Sequence, residues 1–215
     1  EKLKDNEVDV IVTDVMMPVM DGIKLCKNVK QNIRTCHIPV IILSAKTDIK
    51  DQMEGLQMGA DDYIPKPFSL AILTTKIQNM MRTRRWMLDK YAKSLEVEPE
   101  KITFNAMDEA LLKRAMAIVE KNMDNIEFST DEFAREMNMS RSNLHLKLKA
   151  ITGESTIDFI RKIRFNEAAK LLKDGRYTVA EVSTMVGFNT PSYFATSFKK
   201  YFGCLPTEYI KKSKG

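Results

Sequence analysis

Between Phe128 and Lys212 the apolar positions recur at helical spacing in two matching blocks. In the first, Ser129 and Glu132 form an S-x-x-E capping box, and Phe133, Ala134 and Met137 fall on one side of the short helix it opens. Asn138 follows, a residue type that tolerates the left-handed backbone of a sharp turn. Ser140 stands as N-cap to a second helix, where Leu144, Leu148 and Ile151 form an i, i+4, i+7 stripe ended by Thr152-Gly153. Forty-nine residues on, Thr178 and Glu181 repeat the box, Val182 and Val186 the apolar side, and Gly187 the turn. Thr190-Pro191 open the partner helix, and Phe194, Phe198 and Tyr201 repeat the stripe before Gly203. The second block carries one extra residue after its turn.

Between the blocks, Ser155 to Asp174 reads as one amphipathic helix burying Ile157, Ile160, Ile163, Ala168, Leu171 and Leu172. At ~1.5 Å per residue it spans about 28 Å, close to the ~34 Å between successive major-groove faces of a duplex. Two helix-turn-helix units so spaced can enter adjacent grooves of double-stranded DNA without a protein dimer. Outward on the first recognition helix stand Arg141, Ser142, His145, Leu146 and Lys149. Arg141 suits either bidentate reading of guanine or a phosphate grip. The second helix presents Ser192, Tyr193, Ala195 and Thr196, a set poor in charge and suited to shape and phosphate contacts. Lys147, Arg161, Lys162, Arg164, Lys199 and Lys200 are candidates for positioning on the backbone.

The front of the chain has a different period. Val8 to Asp14 is a β-rich run ending in a carboxylate, Pro39 to Ser44 one ending in a hydroxyl, and Asp62 to Pro67 one carrying an amine at Lys66. Strand-helix alternation predicts a parallel sheet with its functional groups at the carboxyl ends of the strands, where Asp14, Ser44 and Lys66 converge. Such a triad suits phosphoryl capture, the aspartate attacking and the other two pairing with the transferred oxygens. The fold class is therefore α/β plus all-α, a doubly wound parallel sheet followed by a helical domain.

From Ser69 to about Leu95 the pattern is helical, with Ile72, Ile77, Met80 and Met81 ahead of the basic stretch Arg82, Arg84 and Arg85. Positive charge there reads as the solvated end of a connector helix, with DNA contact the other reading. Glu96 to Lys101, with Pro99, marks a linker, and a helix from Asp108 to Asn122 opens the last domain.

Charge divides along the same line. Residues 123–215 hold fifteen Lys+Arg against eleven Asp+Glu, and residues 1–68 hold nine against eleven. The excess is modest and alone establishes no nucleic-acid binding. Cys26, Cys36 and Cys204 lack zinc spacing, and reduced thiols in a cytoplasmic protein are the economical reading. His37 and His145 suggest no metal cluster, and no apolar run approaches a membrane span.

The segment from about Asp108 to Lys212 resembles the DNA-binding domain of the AraC family of bacterial transcription regulators, most specifically in the run from Val186 to Phe194, in Phe198 to Gly203 and in Pro206. That family often carries an arginine near Thr196, and this sequence does not. The front resembles the receiver domain of two-component response regulators, through Asp14 to Gly22, Ser44 and Lys66-Pro67-Phe68. This resemblance implies that Asp14 accepts phosphate from a histidine kinase and that Ser44 and Lys66 contact the phosphoryl group. It further implies that Tyr63 is the aromatic switch, that the Lys66-Pro67 peptide is cis, and that the parent receiver uses Mg²⁺. RNA polymerase is the implied downstream partner. In that family a first strand and a metal-holding acidic pair precede the phosphoacceptor by several dozen residues, whereas thirteen precede Asp14. The sequence thus reads as a piece of a longer protein lacking the first two strands, with Asp14 and the Met16 carbonyl left as an incomplete Mg²⁺ site that phosphorylates weakly or not at all. Uncovered sheet edges would invite a homodimer.

Expected boundaries are 1–82 for the partial receiver, 83–107 for connector and linker, and 108–215 for the DNA-binding domain. The arrangement also resembles the C-terminal part of hybrid two-component systems, whose parent carries a histidine kinase and can be membrane-bound with this part cytoplasmic. The expected function is DNA-binding regulation controlled at Asp14. The alternatives are a constitutive DNA binder whose receiver serves only for dimerisation or docking, and a phosphate sink with an inert output domain.

Overall fold

A computed structural model describes residues 8–45, 59–93 and 97–213. The chain divides into two units, one comprising Glu1–Lys90 with Glu100–Glu109, the other Tyr91–Pro99 with Ala110–Gly215.

In the first unit three strands, β1 (Ile11–Asp14), β2 (Val40–Ser44) and β3 (Asp62–Pro65), form a parallel sheet in the order β1-β2-β3. Ile11 pairs with Val40 and Asp14 with Leu43, while Ile41 pairs with Asp62 and Ser44 with Pro65. The central strand is the most buried, as a parallel strand covered on both faces must be, with Val40, Ile41 and Ile42 at 0% exposure. Helix α1 (Gly22–Gln31) returns the chain from β1 and lays Cys26 and Val29 on Val40, Ile42 and Ala60. Asp21 caps it by accepting from Lys24 N at 2.7 Å. Gly22 is required by packing, since a Cβ there would lie 2.1 Å from the Asp14 carbonyl oxygen.

Helix α2 (Leu70–Lys93) is continuous. Leu73 begins its inward side, and Ile72 is exposed because it sits one residue, or about 100°, off that stripe. The basic stretch is not uniformly solvated either. Arg84 turns inward and donates to the His37 carbonyl at 3.3 Å, and burial pushes its guanidinium below its ordinary range. The expected helix end near Leu95 and the linker start at Glu96 lie outside the described residues. The linker region contains one turn, α3 (Pro99–Ile102), with proline at its first position. Helix α4 (Ala106–Lys121) begins at a cap the sequence analysis missed, Asn105, whose Oδ1 accepts from Asp108 N at 2.9 Å.

The second unit carries both helix-turn-helix pairs. Helix α5 (Thr130–Glu136) and α6 (Arg141–Thr152) make the first, α8 (Val179–Met185) and α9 (Pro191–Phe202) the second, with α7 (Thr156–Asp174) between them and α10 (Pro206–Ser213) last. Both capping boxes are complete, each hydroxyl accepting from the N3 amide and each N3 glutamate accepting from the N-cap amide. Ser140 and Thr190 cap the two recognition helices α6 and α9. Asn138 takes the left-handed turn with φ 55° and Gly187 does so with φ 73°.

The second capping box gives a pH prediction. The Thr178 backbone N–H and hydroxyl both donate to the Glu181 carboxylate and hold it below its ordinary range. A depressed carboxyl stabilises fully above its unfolded pKa and loses that contribution as the pH falls through the lower folded value. Glu181→Gln should therefore flatten the acid limb of a urea-denaturation profile taken between pH 7 and pH 3, with stability changing less across that range than in the wild type.

Helix α7 is buried over most of its circumference because it packs against α6, α8 and α10. Phe159, Ile160, Ile163, Phe165, Ala168 and Leu172 are all buried, Leu171 is half-buried, and Phe165 sits in the aromatic core of the second pair with Val186, Phe194 and Phe198. Ile157, expected in the core, is 48% exposed, in line with the exposed Arg161 one turn on. The three cysteines are buried and none is in a disulfide. No described helix is long and apolar enough to cross a membrane.

Candidate phosphoacceptor edge and nucleic-acid interface

The carboxyl end of the first unit's sheet gathers the predicted triad. Asp14 ends β1, Ser44 ends β2, and Lys66 follows β3 directly, its backbone N–H donating to the Ser44 carbonyl at 2.7 Å. The Lys66 ammonium pairs with Asp14 Oδ2, and the Met16 amide donates to Asp14 Oδ1 at 3.2 Å. Those two donors, the ammonium foremost, hold the Asp14 carboxyl below the usual carboxylate range. Ser44 is buried at 1% exposure, and Tyr63 on β3 is half-buried against the sheet's core. The Lys66-Pro67 peptide is cis. Such an edge can present an ionised oxygen nucleophile beside a mobile cation.

Magnesium fits this edge poorly on the residues described. Asp14 is one carboxylate with both oxygens already engaged, Met16 offers a single carbonyl, and no cluster of three His, Cys, Asp or Glu suited to a metal occurs among the described residues. An octahedral Mg²⁺ site draws on more oxygen ligands than these.

On the second unit Arg141, Ser142 and Lys149 are exposed on α6 and His145 is half-buried; Leu146 is also exposed, at 46%. Arg141 stands in the first turn, where a recognition helix meets base edges, and its Nη1 lies 3.4 Å from Asp131 Oδ2 on α5. On α9 Ser192, Tyr193, Thr196 and Lys199 are exposed and Ala195 half-buried. The Thr196 hydroxyl donates to the Ser192 carbonyl at 3.0 Å, so its proton is used within the helix and its methyl and lone pair remain for a ligand.

Three cations expected on the DNA backbone are internal. Lys147 is 2% exposed, Lys162 0% and Arg164 8%, so none can reach a phosphate. Lys162 Nζ donates to Glu154 Oε1 at 3.1 Å and to the Tyr91 carbonyl at 2.6 Å, lying 3.5 Å above the Tyr91 ring. Arg164 donates to the carbonyls of Gly187, Asn122 and Asn125 at 3.0, 3.3 and 2.7 Å. For Arg164 the pattern held a signal, because Ile160 and Ala168 flank it at i−4 and i+4 on the buried face. Arg161, Lys199 and Lys200 are exposed as expected.

Residues 1–78 match the response regulator receiver domain family and residues 133–212 match a helix-turn-helix domain family. One chain thus carries a match to a receiver domain and a match to a helix-turn-helix domain. It is 38% identical over 206 residues to Histidine kinase P4 of Formosa agariphila, which covers 96% of this chain and 15% of that protein. Its receiver part is 43% identical over 82 residues to the response regulator ArlR of Staphylococcus saprophyticus, 38% of this chain and 36% of that protein. Its helix-turn-helix part is similar to the solved C-terminal domain of AraT, a response regulator from Geobacillus stearothermophilus, at 30% identity and TM-score 0.45, covering 47% of this chain and 84% of that one. The chain thus spans well under half the length of these two curated relatives.

Proposed function

We propose that this chain is the output end of a two-component phosphorelay, a sequence-specific DNA-binding transcription regulator controlled by phosphorylation at Asp14. The observation that carries the reading is the pair of capped helix-turn-helix units sharing α7, each presenting an exposed recognition-helix face in one chain. Arg141, Ser142, His145 and Lys149 contact one groove, and Ser192, Tyr193, Thr196 and Lys199 the next.

Asp14 is the phosphoacceptor. Its ionised carboxylate attacks phosphorus, the bond to the donor's leaving atom breaks, and Lys66 shifts from Asp14 Oδ2 to the transferred oxygens. Ser44 and Tyr63, close to the same edge, register the new charge. The histidine kinase that supplies the phosphoryl group resides in the same parent polypeptide, as supported by the similarity of nearly the whole chain to a protein named as a histidine kinase. RNA polymerase is the downstream partner, and a second copy of the chain is another. The domains run 1–82, 83–107 and 108–215.

The coupling is tested on the parent protein with a small acyl-phosphate donor. DNA affinity should change several-fold on phosphorylation and not at all in Asp14→Asn. An unchanged affinity in a phosphorylated wild type would return the constitutive reading, with the receiver as a docking surface.

A further inference from the structure

The first turn of the second recognition helix carries no charged residue, its exposed cation Lys199 lying two turns on, and a guanidinium from the neighbouring helix reaches that turn. Arg161 on α7 donates from Nη2 to the phenolic oxygen of Tyr193 on α9 at 2.8 Å. Both are exposed, Tyr193 at 50%, and Tyr193 is the third residue of α9 after the Thr190 cap. The N-terminal turn of a recognition helix is the part that meets base edges.

The direction of that bond fixes what Tyr193 can do. A phenol has one O–H donor and accepts on its oxygen. With Arg161 donating to the oxygen, the phenolic hydrogen must point elsewhere and can only donate. Arg161 has five N–H donors, and it also faces Asp158, with Nη1 3.8 Å from Asp158 Oδ1, an ion-pair separation that leaves donors open. The two side chains therefore form one exposed locus rich in donors, the guanidinium having no acceptor and the phenolic oxygen already accepting one bond. In the major groove guanine presents two acceptors side by side, N7 and O6, whereas adenine pairs its N7 acceptor with an N6 donor. Two adjacent donors match guanine and meet a like group on adenine.

We propose that Arg161 and Tyr193 act as a composite reader of one guanine in the half-site bound by α9, with Arg161 a specificity residue contributed by the linker helix. This rests on the DNA-binding reading above. The ring of Tyr193 packs near Phe188, centroids 6.0 Å apart, so removing the hydroxyl alone leaves the packing in place.

The test uses the full chain and a duplex recovered by that chain from a random pool. Wild-type protein should lose about ten-fold in affinity when 7-deazaguanine, which lacks the N7 acceptor, replaces one guanine in the α9 half-site, in line with the discrimination expected of one good base contact. Tyr193→Phe and Arg161→Met should each bind the unmodified duplex several-fold more weakly and become indifferent to the deaza substitution, with thermal unfolding unchanged. If both variants weaken binding equally on every sequence and lower the salt slope, the pair grips phosphate and the proposal fails. If no guanine in that half-site is sensitive in the wild type, it fails as well. A wild type that recovers no motif overturns the functional reading itself, an outcome distinct from both.

Discussion

Arg164→Leu should unfold the second helix-turn-helix pair at urea concentrations where the wild type is intact, a loss of about 3–5 kcal/mol. The guanidinium holds three main-chain carbonyls from two separate segments, Gly187 at the turn of the second pair and Asn122 and Asn125 in the loop after α4. A planar fork with several donors can serve three acceptors at once, and leucine serves none. Each carbonyl left buried without a donor costs its desolvation. The site cannot relax inward, since Gly187 is already so close that a Cβ would lie 2.5 Å from the Met123 carbonyl oxygen and 2.7 Å from the guanidinium. Because the Gly187 turn sets the angle of α9, DNA binding by the second unit should be lost together with stability. Arg164→Lys should recover only part, as one ammonium cannot span all three carbonyls. A Leu variant within about 1 kcal/mol of wild type would show that water replaces the clamp.

Glu154→Ala should be of similar size, also about 3–5 kcal/mol, for a different reason. Lys162 is fully buried, and Glu154 Oε1 at 3.1 Å is its ion partner. Removing the carboxylate strands an ammonium whose remaining contacts are the Tyr91 carbonyl and the face of its ring. Burial already lowers the Lys162 pKa from the ordinary 10.5 while Glu154 supports it, so the variant lowers it further. A lysine with a depressed folded pKa binds fewer protons than the unfolded chain between the two values, and stability rises with pH across that window. The Ala variant should accordingly gain stability as the pH is raised from neutrality toward the ordinary lysine range. Denaturation series at several pH values would show it, and a pH-independent deficit would mean that lost packing, not charge, is responsible.

Of the two cations, only Arg164 has a signal in the sequence, Ile160 and Ala168 flanking it on the buried face. Periodicity placed the recognition helices and their caps well, because Leu144, Leu148 and Ile151, and Phe194 with Phe198, are apolar, regularly spaced and close to local signals such as Ser140 and Thr190-Pro191. The turn residues Asn138 and Gly187 were readable for the same local reason. Lys162 and Arg164 were read as surface because charge normally marks the wet side, and what buries them is tertiary. Helix α7 lies between two pairs and has little solvated face to offer. Ile157 is the converse error, an apolar residue on the exposed side of α7 that it shares with Arg161. At the sheet edge, Asp14 and Lys66 are fifty-two residues apart, and their ion pair was foreseeable only because parallel strands bring carboxyl ends together. The Arg161–Tyr193 bond joins two helices thirty-two residues apart with no local signature.

The electrostatic picture also changes with burial. Among the described cations beyond residue 122, Lys147, Lys162 and Arg164 are internal, so the exposed excess is smaller than the sequence count suggests. Affinity should then depend on a few well-placed groups, Arg141, Lys149, Arg161 and Lys199 among them, with a moderate salt slope.

The claim that two recognition helices read DNA jointly is tested most directly by selecting duplexes from a random pool with this chain and with Arg141→Ala. The wild type should recover a motif in two parts about one helical turn apart, and Arg141→Ala should lose information in one part while keeping the other. Recovery of no motif, with binding that vanishes as salt rises, would contradict it.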